Sequence, residues 1–305
     1  MTRSSQDPIV ICVAPNGARR QRKDHPGIPL SADELAYEAA RCRDAGAAMI
    51  HLHVRDAKGG HLLDADAYLD VTQAIRREVG DGLVIQITTE SVGKYHPAEQ
   101  IAVVKAVRPE AASVALRELV PNEDAVGEAE AFYHDMAHKG VMAQHILYSP
   151  QEVRRFNGLR ARGVIPGDKP LVLFVLGSYA GGPGHVADLK AYLGALAEGG
   201  PCHWGVCAFG VTEAQAARWA IENGGHPRVG FENNLMLETG IMASNNAALV
   251  AQIVEDAQLS ERTIADAKAA WALFSGEKEG STSGNKREHR DAGGRNRRLP
   301  CVGAA

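Results

Sequence analysis

Along this chain, short β-rich runs alternate with longer amphipathic stretches. The strand-like runs fall at residues 9–13, 49–54, 83–88, 112–116, 141–147, 171–176, 202–208 and 228–231. Between them, apolar positions at helical spacing predict helices over 31–45, 65–79, 97–107, 123–139, 186–198, 212–223 and 246–257. The first of these carries its own boundaries: Ser31-Ala32-Asp33-Glu34 has the form of a capping box, and Gly46 ends the helix. A strand-then-helix unit repeated about eight times predicts an α/β chain folded as a (β/α)8 TIM barrel. A doubly wound open sheet is the rival, disfavoured because no Gly-x-Gly-x-x-Gly follows the first strand. The pattern stops near residue 275. The barrel is therefore expected over 1–275 as one catalytic domain. The remainder, 276–305, has almost no apolar residue before Leu299 and is expected to be a disordered, solvated tail.

Composition narrows the function classes. A formal charge of -4 over 305 residues gives no reason to invoke nucleic acid or an acidic membrane surface. The five cysteines are scattered, and no pair has zinc-ribbon or Cys-x-x-Cys spacing. The first residues lack the apolar stretch of a signal peptide, and the longest apolar runs fall short of a membrane span. A cytoplasmic protein without a membrane partner is the expectation.

The candidate chemistry begins at His51-Leu52-His53, inside the run Met49-Ile50-His51-Leu52-His53-Val54. Strand side chains alternate faces, so both imidazoles point the same way, as a metal clamp requires. In a barrel, active sites sit at the C-terminal ends of the strands. His51 and His53 lie toward that end of strand two, and Glu232 lies at the same end of strand eight. Strand eight closes on strand one, which neighbours strand two, so the three side chains can converge. Two His and one carboxylate with open positions describe a catalytic metal site. Alternatively, Glu232 serves as a helix-start carboxylate or as the ion-pair partner of Arg228.

Several stretches, in order, also resemble the β-keto acid cleavage enzyme family. They are Asn16-Gly17-Ala18, His25-Pro26-Gly27-Ile28-Pro29, the run from Ala45 to Asp56 with its His-Leu-His-Val-Arg-Asp, Ile85-Gln86-Ile87-Thr88-Thr89, Trp204-Gly205-Val206-Cys207, and Gly224-Gly225-His226-Pro227-Arg228-Val229-Gly230-Phe231-Glu232-Asn233-Asn234-Leu235. The resemblance covers nearly all of residues 9–274 and implies a homo-oligomeric barrel holding one zinc per chain through His51, His53 and Glu232. It implies a reaction in which a β-keto acid and acetyl-CoA give acetoacetate and a new acyl-CoA. Arg228 then stabilises a developing oxyanion or holds the base, and Thr88 or Thr89 bonds the substrate carboxylate. Asn16, Arg19 and Gln144 join the substrate pocket. Gly181 and Gly182, in the loop after strand six, bring backbone N–H groups toward the CoA thioester or phosphate.

Departures from the family pattern bear on substrate and mechanism. Arg19 stands where amine-handling members carry Glu, Asn233 where the residue after the ligand is usually Asp, and Gln144 or Ile146 where strand five carries a carboxylate. Lost negative charge argues against an aminated substrate and for a neutral or dicarboxylic β-keto acid. The resemblance places Asn233 at a catalytic position, yet an amide takes up no proton at neutral pH; His145 and His96 are then the candidate bases. Two other classes stand beside this one. An amidohydrolase-type metal hydrolase is weakened by the motif's place on strand two and by the absence of His from strand six. A non-catalytic metal- or metabolite-binding barrel is the third.

Overall fold

In the computed structural model, which describes residues 7–276, eight parallel strands close into a barrel in chain order. They are β1 (Cys12–Val13), β2 (Met49–Leu52), β3 (Val84–Thr88), β4 (Ala111–Ala115), β5 (Met142–Leu147), β6 (Leu171–Leu176), β7 (His203–Ala208) and β8 (His226–Val229). Helices α1 (Ala32–Asp44), α2 (Ala65–Val79), α3 (Pro97–Val107), α4 (Leu116–Leu119), α5 (Val126–His138), α6 (Pro150–Ala161), α7 (Leu189–Ala197), α8 (Glu213–Glu222) and α9 (Asn246–Gln258) follow the strands, and α10 (Ala267–Ser275) comes last. This is the (β/α)8 barrel that the repeat predicts. The polar segment beyond Gly276 lies outside the described residues.

Alternation along each strand sorts the side chains into an outer and an inner layer. Outward residues such as Ile50, Leu52, Ile85, Ile87, Val172 and Phe174 join the helices in the main core. Inward residues at the N-terminal ends, among them Met49, Val84, Ala111, Met142 and Leu171, form a second cluster with Ala267 and Ala270 of α10, against which Trp271 and Phe274 also pack. Helix α10 thus lies across the lower end of the barrel. At the upper end Ala115, Ile146, Val175 and Cys207 face inward, with Tyr148 and Phe209 packed beside them. Small inward residues, Ser113 and Gly205, leave room for the longer Gln86, Gln144 and Arg228 at that depth.

The boundaries shift where local chemistry interrupts the ladder. Residues 9–11 do not all join β1, because Ile9 bonds instead to Thr263 and Ala265 in the segment before α10. Strand β2 ends at Leu52, and Val54–Arg55 pair antiparallel with His61–Leu62 in a hairpin over the rim. Strand β8 runs over 226–229 rather than 228–231, because Gly230 has φ +141° and leaves the sheet. A Cβ there would stand 2.3 Å from the Ala14 carbonyl oxygen, so glycine is required. Helix α6 has no counterpart among the expected elements. Its start is nevertheless marked by Ser149, whose side chain accepts from Glu152 N, and by Pro150 in the first turn.

Helix α1 has the capping box its sequence implies: the Ser31 hydroxyl accepts from Glu34 N at 3.3 Å, and the Glu34 carboxylate accepts from Ser31 N at 3.0 Å. Burial opposes ionisation of Glu34, but the Leu30 and Ser31 N–H groups and Arg22 hold its carboxyl at about 2, below the usual 4.5. Its stabilisation is therefore complete above pH 4.5 and is lost as pH falls toward 2. Glu34→Gln should lower the urea-unfolding free energy by no more than about 1 kcal/mol near neutrality, since the Arg22 pair is largely solvated. The gap from wild type should narrow as pH falls below 4.5; a gap that widens would remove this account of the cap.

Candidate active site and metal centre

The parallel register of β2 and β3 sets His51 beside Gln86. Gln86 Oε1 accepts from His51 Nδ1 at 2.8 Å, which leaves the lone pair on Nε2. His53 lies one residue beyond β2, where Asn16 holds its backbone: Asn16 Oδ1 accepts from His53 N at 3.2 Å and Nδ2 donates to His53 O at 2.9 Å. Glu232 comes from the loop after β8. That loop is pinned to the barrel by Glu232 N donating to Ala14 O, Phe231 N to Asn246 Oδ1, and Gly230 N to Glu213 Oε1. From outside, Tyr179 and Arg20 donate to the Glu232 carbonyl.

The C-terminal end of β2 and the loop after β8 bring His51, His53 and Glu232 together, all buried, with ligand atoms within 4.8 Å of one another. The two Nε2 atoms are 3.2 Å apart, and Glu232 Oε2 lies 3.4 Å from each. Glu232 Oε2 and His53 Nδ1 are buried without a hydrogen-bond partner. Burial holds the His51 imidazole neutral, at about 3 rather than 6.5. Burial also works to raise the Glu232 carboxyl, yet the Arg228 guanidinium keeps it well below its usual range. Lone pairs from neutral imidazole and an ionised carboxylate facing one another form an electron-rich pocket that a divalent cation would satisfy. The residues therefore fit a metal ion.

Arg228 is buried in the middle of the barrel. Its Nη2 donates to Glu232 Oε1 at 2.9 Å, Asn233 Oδ1 at 3.1 Å and Cys207 Sγ at 3.2 Å, while Nε and Nη1 have no partner. Burial pushes the Cys207 thiol up to about 11, so it stays protonated. Arg55, from the same motif as the two imidazoles, donates to the carbonyls of Asn16, Gly17, Arg20 and Gly59. It thereby presses the loop after β1 onto the site. Gly17, with φ +60°, lies where a Cβ would meet Glu232 Cγ at 2.5 Å.

Above these groups opens a cavity of about 270 Å³. Its polar lining includes Arg19, His51, His53, Thr88, Glu90, Ser178, Arg228, Glu232 and Asn233; Ala115, Ile146, Tyr148, Val175, Tyr179 and Phe209 form the less polar wall. Arg19 is exposed at the mouth, its guanidinium 5.6 Å from the Tyr179 ring centre. The Thr88 hydroxyl accepts from Glu90 N and from Ser113 Oγ. Its own proton remains available to the cavity. Thr89, by contrast, donates its hydroxyl to Ser113 O and does not line the cavity. Asn16 is occupied with the His53 backbone, and Gln144 sits one inward layer below Ile146. In the loop after β6 the lining residues are Gly177, Ser178, Tyr179 and Ala180. Gly181 N and Gly182 N are spent on Ser178 within the turn.

Neither histidine named as a base reaches the cavity. His145 points outward between Tyr133 and Phe156, where burial holds it at about 3, and His96 is the exposed N-cap of α3. Alternation explains the first: on β5 the odd positions face the helices. Glu90 and Gln86 are not among the residues that the sequence motifs single out for a role. Gln86 was legible as a polar residue on the inward phase of an apolar strand; Glu90, two residues beyond Thr88, follows the strand end, where alternation no longer applies. Burial raises the Glu90 carboxyl above its usual range, and its Oε2 lies 3.7 Å from His53 Nδ1. His51→Ala should abolish stoichiometric metal, measured by elemental mass spectrometry. Gln86→Leu should keep the ligands but weaken metal retention about 10- to 100-fold in chelator competition. Full metal retention by His51→Ala would remove the ligand assignment.

The model of the β-keto acid cleavage enzyme family matches residues 8–275. A 3-keto-5-aminohexanoate cleavage enzyme of Fusobacterium nucleatum is 28% identical over 273 residues, covering 88% of this chain and 97% of that one. A 3-oxoadipate:acetyl-CoA acetyltransferase of Cupriavidus necator is 26% identical, covering 90% and 98%. A 3,5-dioxohexanoate:acetyl-CoA acetone transferase of Paraburkholderia graminis is 25% identical, covering 87% and 96%. Among solved structures, apo ObcA superposes with a TM-score of 0.67 at 16% identity over 82% of this chain and 65% of that one, a likeness of fold. With its matching span and its closed parallel barrel, the chain belongs to the β-keto acid cleavage enzyme family.

Proposed function

We propose that this protein transfers the acyl group of a β-keto acid to CoA at the expense of acetyl-CoA, releasing acetoacetate. The observation that carries the reading is the His51–His53–Glu232 donor set lying beside an Arg228 guanidinium with two unpaired nitrogens in one cavity. Acetyl-CoA as co-substrate is supported by two of the relatives' names. In the overall exchange, the carbon between the two carbonyl groups of the β-keto acid loses a proton and attacks the acetyl carbonyl. CoA thiolate leaves, adds to the original keto carbon, and the bond between that carbon and the former nucleophile breaks.

A zinc ion held by His51, His53 and Glu232 would supply Lewis acidity to the keto oxygen. The rest belongs to the chain. Arg228 Nε and Nη1 donate to the oxyanion that develops on the attacked carbonyl, in a site where burial strengthens such bonds. Asn233 Oδ1 steadies that guanidinium. The free hydroxyl proton of Thr88 bonds the substrate carboxylate. Ile146, Val175 and Phe209 exclude the water that would hydrolyse the thioester. The volume suits the acid and the reacting thioester, and leaves the bulk of CoA outside.

Arg19 at the mouth meets the far end of the acid and favours a neutral or dicarboxylic substrate over an aminated one. The described cysteines are all free thiols, and no described helix is long and apolar enough to cross a membrane; both support a cytoplasmic enzyme. Exposed Val211, Ile241 and Met242 supply apolar surface for assembly into a homo-oligomer.

The test is a mass-spectrometric assay of zinc-quantified protein with acetyl-CoA and a panel of cationic, neutral and dicarboxylic β-keto acids. Acetoacetate and the matching acyl-CoA should form from neutral or dicarboxylic members. Arg19→Glu should shift the kcat/KM ratio toward aminated substrates on the order of tenfold. Metal-loaded protein that yields no acyl-CoA from any member would overturn the reading.

A further inference from the structure

A transfer of this kind begins by removing a proton from carbon, and the cavity must supply the acceptor. Most of its lining groups are already committed. The Glu232 carboxylate is engaged by Arg228 on one oxygen and faces both imidazoles with the other. His51 is bonded to Gln86 through Nδ1 and turns Nε2 into the donor set, which His53 Nε2 joins. Tyr179 donates its hydroxyl to the Glu232 carbonyl, and Ser178 Oγ accepts from Gly181 N. Asn233 lines the cavity but carries an amide. Glu90 remains.

Its backbone is held from every side. Glu90 N donates to Thr88 Oγ1 at 3.0 Å, and its carbonyl accepts from His61 Nε2 at 2.8 Å. On either side, Gln100 donates to the Thr89 carbonyl, while Ser91 donates through N and Oγ to the Glu118 carboxylate at 3.0 and 2.9 Å. Gln100 also donates to Glu118 at 2.7 Å, which ties these anchors together. The carboxylate itself receives no hydrogen bond from any described residue. It faces the cavity with 28% of the side chain exposed, and its nearest ionisable partner, His53 Nδ1, is 3.7 Å away, beyond hydrogen-bond reach. A rigidly mounted loop thus presents an uncommitted carboxylate beside the donor set. That is the arrangement of a general base, for which reach and a fixed approach come first.

We propose that Glu90 is the catalytic residue that takes the proton from the β-keto acid; this rests on the reaction proposed above. The C–H bond between the two carbonyl groups breaks, its proton passes to the Glu90 carboxylate, and the electron pair moves into the keto carbonyl. When the carbon–carbon bond later breaks, the departing acetoacetate carbon recovers that proton from Glu90. The cycle consumes no net proton and needs no further reactant.

Acetoacetate tests this without knowledge of the natural substrate, because every β-keto acid converges on it. The metal-loaded full chain is incubated with acetoacetate in D2O, acetyl-CoA omitted. Exchange of the C2 hydrogens is followed by NMR against the uncatalysed background, with metal per chain and Tm recorded for each variant. Wild type should accelerate exchange, Glu90→Gln should be slower by about 100-fold or more, and Glu90→Asp should fall between them, all with unchanged metal. Exchange by Glu90→Gln at the wild-type rate would overturn the assignment. So would loss of metal from Glu90→Gln, which would make Glu90 a positioning residue for His53. Absence of exchange by metal-loaded wild type would instead overturn the proposed reaction, and this role with it.

Discussion

Strand β1, the shortest in the barrel, joins β8 to β2 through Cys12 and Val13. They pair with Arg228 and Val229 on one side and with Met49 and Ile50 on the other. This narrow seam sets the height of the C-terminal end of β8 against that of β2. The loop beyond continues the seam, since Ala14 N donates to Val229 O and Ala14 O accepts from Glu232 N. A slip of one residue along β1 would turn inward-facing side chains outward and carry Glu232 away from His51. The donor set, the Arg228 contact and the cavity above them all inherit their geometry from this pairing.

Buried polar groups around the seam fall into two kinds. Glu38, Asn246, Glu213 and Asn234 bond to one another or to the backbone of the loop that carries Glu232, and their work is to hold it. A second set retains unspent capacity: Glu232 Oε2, His53 Nδ1, Arg228 Nε and Nη1, and Asn233 Nδ2. All belong to residues of one cavity. A buried donor or acceptor without a partner costs on the order of 1–3 kcal/mol, so such groups do not accumulate together without a ligand to satisfy them.

Much of this was legible before the structure because barrels encode themselves in repetition. The bounds of α2, α3 and β6 match the sequence pattern residue for residue, since amphipathic helices and wholly buried strands carry strong periodic signals. Helix α6 was not, because Arg154, Arg155 and Arg160 interrupt its apolar face and only three of its residues are buried. The outer ends of β1 and β8 were not, because Ile9 finds a partner beside α10 and Gly230 turns by virtue of its neighbour Ala14, both tertiary facts. Within the site, strand phase foretold the shared direction of His51 and His53. No periodicity reaches Glu90, whose place depends on anchors from His61, Gln100 and Glu118 on three other segments. His145 shows the converse: a reactive side chain near a strand end is inert when its phase faces the helices.

The layers beneath the cavity, with α10 packed across the lower end, leave the C-terminal rim as the way in and out. In the transfer proposed above, a chamber of about 270 Å³ entered from that rim would impose a queue on two substrates of unequal size. The small acid would go in first, since a thioester seated in the mouth bars its path. The larger acyl-CoA would come out before the acetoacetate behind it. The order of traffic then follows from the shape of the cavity, independent of which side chain moves the proton.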